Sequence, residues 1–92
     1  MTISFKHKGL KALYEKGATK GVQQNHVKKL RRILADLEDA EAPEDMELPG
    51  YNLHELKGDR KGTWSVQVSG NWRVTWKFMG RNVEVVSYED YH

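Results

Sequence analysis

Side chains able to move protons or carry positive charge are spread over the second half of the sequence. His54 and Lys57 stand three apart in HELKG, and Arg60 and Lys61 occupy the GDRKG turn that follows. Arg73 lies two residues after Asn71 in NWR, and the last five residues, YEDYH, hold Asp90, Tyr91 and His92. Any one of these has an ordinary explanation as a solvated turn, an outward strand residue or a loose terminus. As a set they match one chemistry. Cleavage of RNA without a metal needs a base for the 2′-hydroxyl, cations for the charge growing on phosphorus, and an acid for the departing 5′-oxygen. His54, Asp90 and His92 supply proton transfer, and Lys57 and Arg73 supply charge. Histidine suits the task because its unperturbed pKa of about 6.5 lets it give or take a proton near neutrality. Tyr91 can stack on an unpaired base.

Two other chemistries fit less well. His54, Asp90 and His92 could ligate zinc, but they are far apart in sequence, lack a ligand spacing, and lie among cations that oppose a dication. No metal and no cofactor is expected. The eight glycines fall in turns rather than in GxGxxG or GxxxxGK[ST], so nucleotide-driven enzymes are not indicated. The sequence has no cysteine, which removes disulfides and thiolate catalysis. The opening MTISFKHKG lacks the apolar core of a signal peptide, and no stretch approaches the roughly 20 apolar residues of a membrane span. A cytoplasmic location and no membrane partner are the expectation.

The elements that must position these groups are read from periodicity. TISF is a short β-prone run, and in HKGLKALYEKG the residues Leu10, Leu13, Tyr14 and Gly17 recur at helical spacing until GATKG ends the helix. A second helix is expected to start near Val22, with Val27, Leu30, Ile33, Leu34 and Leu37 on one stripe and Lys28, Lys29, Arg31 and Arg32 off it. Residues 41–52 carry both prolines and read as an exposed connector. The period then changes to two. NLHELKG gives a short strand of uncertain register. Trp64, Val66 and Val68 share one strand face, and Trp72, Val74, Trp76 and Phe78 share another against Arg73, Thr75 and Lys77. Gly70-Asn71 and Gly80-Arg81 supply the turns of an antiparallel meander over residues 63–88. The expected fold is α+β: one domain over residues 1–92, ordered β-α-α-β-β-β-β, with two antiparallel helices on one face of a mostly antiparallel sheet. The other face is expected to be polar and open, with Ser65, Gln67 and Ser69 beside Arg73, Thr75 and Lys77. Asp90, Tyr91 and His92 are expected to reach that face.

A net charge of +2 hides a polarised chain. Residues 1–34 hold nine Lys or Arg against Glu15 alone, residues 35–55 hold eight Asp or Glu and no Lys or Arg, and residues 56–92 hold six basic residues against four acidic. Such segregation favours contact with a polyanion, and it also suits a solvated helix beside a solvated loop.

SFKHKGLKALYEKG, LHELKGDRKGTWSVQV, NWRVTWKF and YEDYH, in this order and spacing, resemble the HigB toxins of bacterial toxin-antitoxin systems, within the RelE/ParE superfamily. The resemblance implies a RelE-like fold and a ribosome-dependent mRNA endonuclease that cuts codons in the ribosomal A site. It implies a HigA-type helix-turn-helix antitoxin as partner, with operator DNA engaged only through the antitoxin complex. By this likeness Lys57 and Arg73 would steady the scissile phosphate, His54, Asp90 and His92 would move protons, and Asn71 and Tyr91 would position the substrate. Lys28, Lys29, Arg31 and Arg32 would grip 16S ribosomal RNA of the 70S ribosome. The alternatives are a noncatalytic ParE-like toxin that binds DNA gyrase, and a basic RNA-binding module without toxicity.

Overall fold

The computed structural model describes residues 2–90. Tyr91 and His92 lie outside the described residues. The chain runs β1 (Ile3–Phe5), α1 (Lys8–Lys16), α2 (Val27–Asp39), β2 (His54–Glu55), β3 (Thr63–Ser69), β4 (Trp72–Met79) and β5 (Asn82–Asp90), with short 3-10 turns at Gln24–His26, Pro43–Met46 and Gly58–Arg60. The five strands form one mixed sheet in the order β1-β5-β4-β3-β2, in which only β1, parallel to β5, departs from antiparallel pairing.

α1 begins where His7 accepts a hydrogen bond at Nδ1 from the Leu10 N–H (3.0 Å), satisfying one of the donors a helix start leaves unpaired. It ends at Gly17, whose left-handed φ of 69° lets its N–H return to the Leu13 carbonyl. α2 starts at Val27, five residues later than the periodicity suggests. Residues 22–26 have no apolar repeat to carry a helix, and the chain just before them is occupied elsewhere: Gly21 lies backbone to backbone on Gly9 in the first turn of α1.

Leu10, Leu13, Leu30, Ile33, Leu34 and Leu37 from the helices meet Val66, Val68, Val74, Trp76, Val83 and Val86 from the sheet in one buried cluster. Each such side chain contributes about 1.5–3 kcal/mol on burial. Val83 and Val86 are three apart, yet both face the core because β5 carries a bulge at Val85, which takes φ = 50°. The bulge shifts the alternation, so that beyond it Ser87 and Glu89 register with Thr75 and Arg73, and Tyr88 with Val74.

The stretch 41–52 is not the exposed connector its polarity suggests. The Asp45 carboxylate accepts from the N–H groups of Glu41 and Ala42 and folds the 3-10 turn, and Met46 and Tyr51 are fully buried. The Tyr51 hydroxyl donates to Asp36 (2.6 Å), and burial together with that carboxylate raises its pKa well above the ordinary phenol value.

The sheet face away from the core is polar, as expected, but it is not open throughout. Thr63, Ser65, Thr75 and Ser87 are buried there, at 8% exposure or less. Small hydroxyls form the floor, and longer charged side chains from the 58–60 turn and β5 cover part of it.

Candidate active site on the polar sheet face

β2 is only two residues long, yet its register is definite: His54 pairs with Ser65, which pairs with Thr75, which pairs with Ser87. The neighbouring row is Gln67, Arg73 and Glu89. These two rows are the frame of the site.

His54, Lys57, Asn71 and Arg73 line one cavity of roughly 340 Å³, together with Glu55, Leu56, Ser65 and Gly70. Residues separated by up to 19 positions in the sequence are thereby brought to one place by the β2-β3-β4 ladder. His54 Nδ1 lies 2.7 Å from the Asn52 carbonyl oxygen. A carbonyl only accepts, so Nδ1 carries the proton, and the neutral ring keeps its lone pair on Nε2. That tautomer suits a proton acceptor. Arg73 donates from Nη1 to Ser65 Oγ (3.3 Å), which holds the guanidinium over the floor of the cavity.

Gln67, which strand alternation puts on this face without assigning it a role, braces the site. It accepts from Asn52 Nδ2 (2.6 Å), donates to the Gly70 carbonyl (3.0 Å), and its backbone N–H donates to Tyr51 O. One side chain thus ties the approach to His54 to the turn that carries Asn71. Asn52 takes a left-handed φ of 47°, which asparagine tolerates better than most residues. On the far wall, Glu55 accepts from the Gly62 N–H (3.0 Å) and fixes the loop after Lys57.

Glu89 is the residue that sequence reasoning misses; its one signal is that it alternates in phase with Ser87. Arg60 grips its carboxylate with two bonds, Nη1 to Oε1 at 2.9 Å and Nη2 to Oε2 at 2.7 Å, and the Thr75 hydroxyl adds a third at 2.8 Å. The Arg60 hydrogen bonds hold the Glu89 carboxyl below its usual range, against the opposing effect of burial.

Asp90 does not line the cavity among the described residues. Its register partner is Trp72, whose ring packs against Tyr88 and His26 on the core side, so strand alternation sets Asp90 off the row of Arg73 and Glu89. That register places Asp90 beside Trp72, and Tyr91 and His92 lie outside the described residues. Lys28, Lys29, Arg31 and Arg32 sit on α2, away from the cavity. They are not equivalent. Lys29 donates to the Gly50 carbonyl (3.0 Å), and Lys29 and Arg32 lie 5.8 and 5.3 Å from the centre of the Tyr51 ring. Lys28, Arg31 and Arg32 are exposed, and Lys29 is half-buried.

The profile of the RelE-like toxin HigB of type II toxin-antitoxin systems matches residues 3–92. The chain belongs to the HigB family of RelE-like toxins. It is 45% identical to Endoribonuclease HigB of Proteus vulgaris, over the full length of both proteins. Its fold is similar to that of YafQ from Escherichia coli, with a TM-score of 0.53, 19% identity, and coverage of 95% of this chain and 91% of that one. A histidine-to-glutamine variant of YafQ gives a TM-score of 0.50 at 20% identity with the same coverage. As a HigB-family toxin the chain is paired with an antitoxin. The comparisons give no support to the gyrase-binding alternative. No helix among the described residues is long and apolar enough to cross a membrane.

Proposed function

We propose that this HigB-family toxin is an endoribonuclease that cuts mRNA codons in the A site of the 70S ribosome, and that a HigA-type helix-turn-helix antitoxin neutralises it. The observation that carries the reading is the single cavity shared by His54, Lys57, Asn71 and Arg73. The name of the Proteus vulgaris relative, an endoribonuclease alike over its whole length, supports it.

In this reading the scissile phosphate sits over the buried hydroxyl floor between Lys57 and Arg73. His54, with Nδ1–H tied to Asn52 and a lone pair on Nε2, takes the 2′-hydroxyl proton as that oxygen attacks phosphorus. Lys57 and Arg73 stabilise the added charge, and Asn71 orients the nucleotide. Bond breaking releases the 5′-oxygen, which takes a proton from an acid supplied by the chain terminus, Asp90 or His92, while Tyr91 stacks on a base. The products are a 2′,3′-cyclic phosphate and a 5′-hydroxyl. No metal or other cofactor takes part. Lys28, Lys29, Arg31 and Arg32 hold 16S ribosomal RNA, operator DNA is bound only through the antitoxin complex, and the toxin works in the cytoplasm over a single domain spanning residues 1–92.

The test is primer extension on a translated message after induction of the toxin without its antitoxin. Codon-specific breaks are expected. Intact messages with blocked DNA replication would instead favour a gyrase binder, and normal growth would favour a nontoxic RNA-binding module. Arg73→Ala should lower cleavage by about 10²–10³-fold, the usual consequence of removing one group that stabilises transition-state charge. Wild-type killing by that variant would count against the assignment.

A further inference from the structure

Among the described residues, the strand pairing at the end of β5 is to β4. β1 registers with Val83 and Val86, and its last contacts are the Lys6 and His7 N–H groups on the Val86 carbonyl. From Ser87 to Asp90 the ladder runs to β4. A strand end paired on one side frays more readily than one paired on both, because fewer bonds oppose its conformational entropy. Two side-chain anchors compensate. On the core side, Tyr88 is fixed by His26 and Trp72. On the polar side, the carboxylate of Glu89 is fixed by the two bonds from Arg60 and the one from Thr75.

Arg60 belongs to the basic turn that stands out in the sequence, yet it does not line the cavity of His54 and Arg73. It reaches 29 positions along the chain to the residue that registers with Arg73 and precedes Asp90. We propose that Arg60 and Glu89 are a positioning pair for the reaction, acting by fixing the end of β5 beside Arg73. Arg60 is not a contact for the RNA phosphates. The pair rests on the endoribonuclease reading above, since without cleavage there is nothing to position.

The test uses full-length toxin on a message bound to bacterial 70S ribosomes, with wild type, Arg60→Met, Glu89→Gln and the double variant compared at a temperature well below the lowest melting point of the four. Each single variant should lower single-turnover kcat by about 10–100-fold, since misplacement of about 1 Å can cost 10²-fold. The double variant should cost no more than either single one. KM and the salt dependence of binding should stay at the wild-type values. Glu89→Gln keeps the shape of the side chain and guards against a result that reflects unfolding.

A fall in the salt slope by about 0.7 with Arg60→Met, the signature of one lost contact to a single-stranded backbone, would make Arg60 a phosphate contact and overturn the proposal. Wild-type kcat in both single variants would overturn it as well, while leaving the endoribonuclease reading in place. Absence of cleavage by the wild-type protein would instead remove that reading and this one together.

Discussion

Tyr88→Phe takes one oxygen from the buried junction of β4, β5 and the start of α2, and its cost can be worked from the surroundings. The hydroxyl lies 2.5 Å from His26 Nδ1, a buried hydrogen bond whose direction follows the imidazole tautomer. His26 is 4% exposed and Tyr88 5%, so water does not readily replace the lost hydroxyl. The ring itself stays, 4.6 Å from the centre of Trp72 and edge-on to His7 at 5.4 Å, and little packing is lost. The cost is therefore that of leaving the buried His26 ring nitrogen without its partner, about 1–3 kcal/mol. For a domain of this size each kcal/mol lowers Tm by about 4–8 °C, so a drop of roughly 4–24 °C is expected. Urea unfolding of wild type, Tyr88→Phe, His26→Leu and the double variant gives the coupling directly, and it should be about 1 kcal/mol or more. A single-variant cost within about 0.5 kcal/mol, or costs that simply add, would refute the reasoning.

Burial lowers the His7 pKa, and its Nδ1 must be unprotonated to accept from Leu10. The unfolded chain then binds a proton more readily than the folded one, so this stability is fully present above about pH 6.5 and is lost as pH falls through the lower folded value. His7→Asn, which keeps an acceptor at the helix start, should flatten the pH dependence of unfolding between neutrality and mild acid; an unchanged slope would place that dependence elsewhere. A Cβ on Gly9 would collide with the Gly21 carbonyl oxygen, so Gly9→Ala should destabilise by at least the roughly 1–3 kcal/mol typical of overpacking, and a neutral result in thermal unfolding would mean that the two segments part easily. On α2, Lys28→Ala with Arg31→Ala should weaken ribosome binding and lower its salt slope while leaving Tm unchanged. Lys29→Ala with Arg32→Ala should also lower stability, by about 0.5–1 kcal/mol for each contact with the Tyr51 ring; equal melting of the two double variants would contradict that division.

Much of the fold is legible in the sequence because each element announces its own period. Val66 and Val68 against Gln67, and Val74 and Trp76 against Arg73 and Thr75, set the inward and outward faces of β3 and β4 by alternation alone. Gly70 and Gly80 mark turns that require positive φ, and they take 56° and 62°. β5 is where alternation misleads: in NVEVVSY the bulge at Val85 changes the phase, so counting by twos from Val83 would put Ser87 and Glu89 on the core face. Met46 and Tyr51 are hidden for another reason, since local composition reports the polarity of a stretch and not which of its residues a distant surface will cover.

The sequence alone determined the α+β class, the strands and turns, the candidate proton donors and cations, and the likeness to HigB toxins, because residue type, spacing and order are local properties. Only the tertiary structure decided that His54, Lys57, Asn71 and Arg73 share one cavity, that Asn52 sets the His54 tautomer, and that Arg60 belongs to Glu89 rather than to the cavity. Those facts depend on strand register and on side chains reaching across 29 positions of chain, and a shift of one residue would move every one of them to the opposite face.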